Sequence, residues 1–211
     1  MAEKKAGVIV ILSSPSGAGK TTLVKKISKR KNYKISISYT TRKARINERN
    51  GKDYYFISNT QFKKLIKEKK FLEYAKVFKN YYGSLRENVI TNLANGKNVI
   101  FDIDWQGTKQ IKNNKLNYKI ITIFILPPSK KELFKRLLKR EKKDKKIANE
   151  RMKQFKDDVK HWKDYDFAVI NDKIENCYNL ITNFISSQKK QNSKIKFNKK
   201  FITNHINNLL N

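Results

Sequence analysis

Lys20 is the residue whose neighbours most narrowly define its chemistry. It follows Gly17-Ala18-Gly19 and precedes Thr21-Thr22, so residues 14–21 read S-P-S-G-A-G-K-T. That is the spacing G-x-x-x-x-G-K-[ST], with serine at the first position. Two glycines let the backbone curl until successive N–H groups point inward, and the helix behind them adds the positive end of its dipole, so the loop cradles phosphate. Lys20 then carries a point charge to the β/γ-phosphates, and the Thr21 hydroxyl is placed to coordinate Mg²⁺. The apolar run Val99-Ile100-Phe101 ends in Asp102, a carboxylate that can stand near the same metal.

Such a loop works only between a buried strand and a helix, and the sequence supplies both. Residues 7–13 are a continuous apolar run rich in β-branched side chains, and residues 23–30 carry apolar positions at helical spacing. Further buried-strand runs at 98–103, 120–126 and 167–170 alternate with helical stretches at 87–95, 130–140, 148–162 and 174–187. Alternation of this kind predicts an α/β domain with a parallel sheet. Residues 33–83 read differently, with the alternation Ile35-Ser36-Ile37-Ser38, many tyrosines and an Asn50-Gly51 turn. They predict a more antiparallel insertion with one helix near residues 60–70. Residues 139–146 are almost all charged and are expected to be exposed and mobile. From residue 188 a tail rich in Lys and Asn ends in a weakly amphipathic patch at 197–210.

The chain has 211 residues, enough for one domain with inserted parts. Its 49 Lys+Arg against 18 Asp+Glu give a formal net charge of +31, which first suggests a polyanion partner. Only eight of those basic residues are Arg, and Asn is abundant as well, so the lysine excess reads as coding background. No recognition signature for RNA or DNA accompanies the charge. A specific nucleic-acid partner is therefore not expected. The longest apolar runs fall far short of the ~20 residues of a membrane span, and residues 1–5 run into a short apolar stretch followed by glycines rather than a cleavage region, so a secretory signal is not expected. The single cysteine, Cys177, excludes an internal disulfide, so a cytoplasmic location is expected. The oligomeric state is left open.

Seven segments, residues 13–22, 38–45, 50–54, 71–75, 80–84, 102–107 and 125–129, together resemble the guanylate kinase family, in order and spacing, across about residues 7–187. The resemblance implies a P-loop NTPase core with a parallel sheet flanked by helices, plus an inserted mixed β/α subdomain for the nucleoside monophosphate and a lid. Core would be 7–32, 84–135 and 152–187, insertion 33–83, lid 136–151 and tail 188–211. It implies transfer of the γ-phosphoryl group of ATP to GMP, extending to dGMP, with Mg²⁺ held by Thr21 and Asp102.

By the same resemblance, Ser14, Pro15, Ser16, Gly17, Ala18, Gly19, Lys20, Thr21 and Thr22 surround the ATP phosphates, while Asn171 and Asp172 lie on the adenine side. Ser38, Glu73, Ser84, Asp104 and Gly107 face guanine, and Arg42, Arg45, Tyr54 and Tyr82 hold the GMP phosphate. Lys20, Arg42, Arg140 and Arg151 are the expected catalytic charges. Glu141 departs from the family pattern, where glycine is usual, and Lys173 replaces the usual acid after Asp172. A binding module on the same fold would be expected to lack an intact phosphate loop, which this chain keeps.

Overall fold

The computed structural model describes residues 6–141, 143–190 and 198–210. The readings made at residues 1–5, at residue 142 in the charged run, and at residues 191–197 and 211 of the tail lie outside the described residues.

Strand β1 (Ile9–Ser13) is buried along its whole length, as an uninterrupted apolar run demands when both faces of a sheet are covered. It lies at the centre of a five-stranded parallel sheet. On one side it pairs with β7 (Asn98–Asp102), which pairs in turn with β2 (Tyr33–Ile35); on the other it pairs with β8 (Ile120–Leu126), followed by β9 (Phe167–Ile170). Helices α1 (Lys20–Ser28) and α7 (Ile174–Lys189) cover one face, burying Leu23, Val24 and Ile27 from α1 and Cys177, Ile181, Phe184 and Ile185 from α7. Helix α3 (Arg86–Ala94) and helix α4 (Trp105–Asn113) contribute Val89, Leu93 and Ile111 to the core around Ile9, Ile11 and Phe101. The loop after β1 thus opens at the carboxyl ends of the parallel strands, where open α/β sheets bind ligands.

A second sheet, in the order β4-β3-β6-β5, is built from β3 (Tyr39–Thr40), β4 (Tyr55–Phe56), β5 (Phe71–Val77) and β6 (Asn80–Leu85). The β5/β6 and β3/β6 pairs are antiparallel and the β3/β4 pair is parallel. Helix α2 (Asn59–Lys67) starts at a capping box in which Ser58 and Gln61 satisfy each other's backbone N–H groups. Its Phe62 stacks between Phe71 and Tyr81, and Tyr39 stacks on Tyr55, so aromatic rings serve as this sheet's own small core.

Four readings from sequence need correction. The insertion does not begin at Tyr33, because β2 hydrogen-bonds to β7 in the parallel sheet; the alternating pattern there belongs to a half-covered edge strand. It does not end at Gly83 either, since β6 runs to Leu85. Helix α4 escaped notice because its apolar positions are sparse and Gly107 interrupts them, yet the Asp104 side chain caps it by accepting from Gly107 N–H at 3.1 Å. The patch near the C-terminus is a full helix, α8 (Lys199–Leu210), which buries Ile202, Ile206 and Leu209 against Leu133, Leu137 and Phe155. Burying three such side chains contributes on the order of 5 kcal/mol.

Helix α5 (Lys130–Arg140) begins on the Ser129 side chain and α6 (Lys145–Asp158) on that of Asp144. A 3₁₀ segment, Val159–Asp164, continues α6. The charged run between α5 and α6 is not wholly exposed, because Glu141 turns inward. No helix among the described residues is long and apolar enough to cross a membrane.

Candidate active site

The loop between β1 and α1 has the geometry that its glycines foreshadow. Gly17 and Gly19 sit at φ 89° and 99°, a region where a side chain would be strained. At Gly19 the space is also taken: a Cβ there would meet Asn171 Nδ2 at 2.3 Å. Asn171, only 4% exposed, donates that amide to the Ala18 carbonyl at 2.7 Å. It therefore buttresses the loop, while Asp172 accepts from the Lys173 N–H at 2.5 Å just beyond β9. Ser14 donates to the Pro15 carbonyl and Ala18 N–H reaches the same oxygen, closing the turn; Thr22 is exposed on the first turn of α1.

At the end of that loop, Lys20 Nζ lies 2.6 Å from the Ile103 carbonyl and 3.0 Å from Asp102 Oδ1. Thr21 Oγ1 donates to Asp102 Oδ2 at 2.7 Å. A hydroxyl and a carboxylate side by side are hard oxygen donors of the kind Mg²⁺ takes from proteins, together with waters and phosphate oxygens. Among the described residues there is no cluster of three or more His, Cys, Asp or Glu that could hold a metal.

Across the cleft, Glu73 on β5 is 3% exposed, and its Oε1 accepts no hydrogen bond. Burial pushes its carboxyl up to about 7, with the charge of Asp104 adding to the rise and hydrogen bonds from Ser84 opposing it. Ser84 faces Glu73 across the β5/β6 ladder, and the Ser38 and Ser84 hydroxyls stand 3.3 Å apart. The edge of β5 is held by α4: Gln110 accepts from the Tyr74 N–H at 3.1 Å and donates to the Tyr74 carbonyl at 2.7 Å, and Asn114 donates to the Leu72 carbonyl at 3.0 Å. Asp104 also accepts from Gln106 Nε2 at 3.1 Å, so both of its oxygens serve the start of α4.

Gly107 completes this pocket by what it lacks. A Cβ there would lie 2.4 Å from Glu73 Oε2. Gly107→Ala is expected to raise the KM for the nucleoside monophosphate at least tenfold while shifting the KM for ATP less than threefold. Steady-state kinetics with each substrate varied in turn checks this, and an unchanged monophosphate KM would show that Glu73 does not need that approach.

Arg42 Nη2 donates to both carboxylate oxygens of Glu48 at 2.9 Å, and the guanidinium lies over the Tyr54 and Phe56 rings. Arg45 donates its backbone N–H to Glu48 at 2.9 Å and its guanidinium at 3.3 Å. Burial alone would raise the Glu48 pKa, but the Arg45 N–H and the Arg42 guanidinium outweigh it and leave it below the usual carboxylate range. Burial raises the Tyr54 phenol well above its ordinary value, so it remains a hydrogen-bond donor; the Tyr82 ring meets it edge-on.

From the other side, Arg140 and Arg151 both donate to Ser16 Oγ in the phosphate loop, at 3.2 and 2.9 Å. Burial and the neighbouring charge of Arg45 press the Arg151 pKa down, against the pull of Glu141. Arg136, also on α5, pairs with Glu132 one turn back along the helix. Glu48, Gln110 and Asn114 were not anticipated, and Glu141, noted as a departure from the family pattern, was not expected to face three arginines. Gln110, Asn114 and the Arg45 and Arg151 contacts of Glu141 join elements distant in sequence, where spacing carries no signal.

A parallel sheet with this loop behind its central strand defines a P-loop nucleotide-binding protein, and the second sheet adds a platform for another ligand. The family described as guanylate kinase matches residues 6–188. The chain belongs to the guanylate kinase family. It is 45% identical over 211 residues to a guanylate kinase of Blochmanniella floridana, covering 99% of this chain and 98% of that one. A guanylate kinase of Rickettsia prowazekii is 45% identical over 190 residues, covering 90% and 95%. The crystal structure of guanylate kinase from Anaplasma phagocytophilum superposes with a TM-score of 0.68 at 34% identity, covering 88% of this chain and 87% of that one.

Proposed function

We infer that this chain is an ATP:GMP phosphotransferase in which the second sheet presents GMP to ATP held on the phosphate loop. The observation that carries the acceptor assignment is the orphaned, buried Glu73 Oε1. Guanine presents N1–H and N2–H donors side by side, and an ionised carboxylate can accept both. Adenine offers a lone pair at N1 and no N2 donor, so it would leave the carboxylate unpaired, at a cost of ~1–3 kcal/mol or more. The Ser38 and Ser84 hydroxyls can bond the rest of the guanine edge, and the N-cap carboxylate of Asp104 lies near the exocyclic amine.

An oxygen of the GMP phosphate attacks the γ-phosphorus in line. As that P–O bond forms, the bond from the γ-phosphorus to the β,γ-bridging oxygen breaks, and ADP leaves with the electron pair. No general base is required, because a phosphate monoester is largely dianionic at neutral pH. Catalysis then rests on position and charge. Arg42, Arg45, Tyr54 and Tyr82 fix the acceptor phosphate. Lys20 serves the β/γ-phosphates, and Arg140 and Arg151, anchored on Ser16, reach the group in flight. Mg²⁺, held through Thr21 and Asp102, would neutralise charge on the β- and γ-oxygens. Approach of the insertion and of the residues 136–151 lid excludes water that would hydrolyse ATP.

The rest of the assignment follows the same lines. The buried thiol of Cys177, pushed up to about 12 by desolvation, is unreactive and in keeping with a reducing cytoplasm. Nothing in this reading calls on a nucleic-acid or membrane partner. A coupled assay of ADP formation with GMP, dGMP, AMP, UMP and dTMP in parallel tests the whole. GMP is expected to exceed AMP at least a hundredfold in kcat/KM, with dGMP accepted; equal rates, or none with GMP, would defeat it.

A further inference from the structure

Three guanidinium groups converge on one carboxylate at the mouth of the phosphate loop. Glu141 Oε1 stands 3.0 Å from Arg151 Nε, 3.5 Å from Arg140 Nε and 3.9 Å from Arg45 Nη2, and the Glu141 side chain is only 12% exposed. Arg45 belongs to the segment between β3 and β4, Arg140 ends α5, and Arg151 lies on α6. Glu141 is thus common to both jaws of the cleft. The Arg151 guanidinium also packs over the Phe78 ring at the tip of the β5/β6 hairpin, which adds an apolar contact between the same two parts.

The quality of these contacts separates Glu141 from Glu48. Glu48 accepts directed hydrogen bonds from Arg42 and Arg45 and is locked in place. Glu141 Oε1 accepts none, and Arg151 Nε, although 3.0 Å away, donates none, so the attraction is Coulombic without orientation. Arg140 and Arg151 spend their directed Nη1 bonds on Ser16 instead. A phosphate group would bring up to two negative charges and several acceptor oxygens, each able to take a directed guanidinium bond, against one charge from Glu141.

We propose that Glu141 is an internal counter-anion that gathers Arg45, Arg140 and Arg151 around the place of a phosphoryl group and yields them when substrate phosphate arrives. It is a positioning residue. It keeps three like charges from driving the jaws apart before binding, and it weakens ground-state binding because the incoming phosphate must compete with it. Binding energy withheld in this way limits how tightly substrates and products are held without weakening contacts made in the transition state. The inference rests on the assignment of these arginines to phosphate in the proposed function.

Titration calorimetry of GMP binding, with thermal unfolding alongside, tests it in wild type, Glu141→Gln and Glu141→Asp. Glu141→Gln is expected to bind GMP roughly 3- to 10-fold more tightly, with a steeper loss of affinity as salt is raised. Its Tm without nucleotide should fall by a few degrees, and the deficit should shrink at saturating GMP. Glu141→Asp, which keeps the charge, should return GMP affinity to near the wild-type value. Unchanged or weaker GMP binding in Glu141→Gln, or an equal Tm deficit with and without GMP, would overturn the proposal. Arg45→Met separates this from the underlying assignment: if GMP affinity is unaffected by that change, Arg45 does not bind the phosphate. If Arg45→Met weakens GMP and Glu141→Gln does not tighten it, only the role of Glu141 is lost.

Discussion

Lys20→Met is expected to lower kcat by about a thousandfold while the fold survives. Removing one pre-organised positive group from a site of developing charge costs ~3–4 kcal/mol of transition-state stabilisation, which is a factor of 10²–10³. The position of Lys20 argues for the upper end. Its ammonium is held at 2.6 Å by the Ile103 carbonyl and at 3.0 Å by Asp102, so it is oriented before ATP arrives and loses little freedom on binding. Methionine retains the unbranched stem and helix propensity at the first position of α1, so the packing of Leu23, Val24 and Ile27 behind it should persist. Single-turnover kinetics and far-UV circular dichroism together check the two halves of the expectation. A variant within tenfold of the wild-type kcat would remove Lys20 from the mechanism.

The second large effect concerns Glu73 and pH. Its carboxyl titrates near 7 in the folded chain against 4.5 for an unperturbed group, so between those values the folded state holds a proton that the unfolded state has released. Stability without ligand therefore falls as pH rises through this window, by about 3 kcal/mol in all. Guanine recognition runs the other way, because only the ionised carboxylate can accept from both N1–H and N2–H. For GMP, kcat/KM is expected to climb about tenfold per unit from pH 5.5 to 6.5 and to level off above 7.5, and GMP binding near pH 7 should release part of a proton.

Glu73→Gln should lose a factor of 10²–10³ in kcat/KM for GMP and lose this ionisation from the profile. Its stability should no longer decline through the window. Rate profiles, and unfolding followed from pH 5 to 8, read both properties on one variant. A Glu73→Gln enzyme that keeps the wild-type profile would assign the ionisation elsewhere.

The features written locally in the chain were legible before any coordinates. The phosphate loop depends on consecutive residues, the buried strands on unbroken apolar runs, and α5 on a helical period over residues 130–140. What escaped depends on partners distant in sequence. Strand β2 alternates because one edge is open, and only its pairing with β7 says which sheet it joins. Helix α4 is defined more by its Asp104 cap and by Gln110 and Asn114 reaching to β5 than by an apolar stripe of its own. Glu141 stands out in the sequence only as a departure from the family's usual glycine, within a charged run expected to be exposed. Its side chain is drawn inward because α5 and α6 bring Arg140 and Arg151 together over Ser16, and Arg45 faces them from the insertion. The charge that opened the question of a polyanion partner thus matters chiefly where a few arginines meet.

The aromatic make-up of the second sheet also equips the molecule to report on itself. Tyr39, Tyr55, Tyr74, Tyr81 and Tyr82 lie in that sheet's strands and Tyr54 just before β4, whereas both tryptophans, Trp105 and Trp162, sit in the main body, on α4 and in the 3₁₀ segment. Excitation absorbed by the tyrosines passes to tryptophan with an efficiency that falls steeply with separation. Movement of the guanine platform relative to the core is therefore written into the intrinsic fluorescence, without any attached dye.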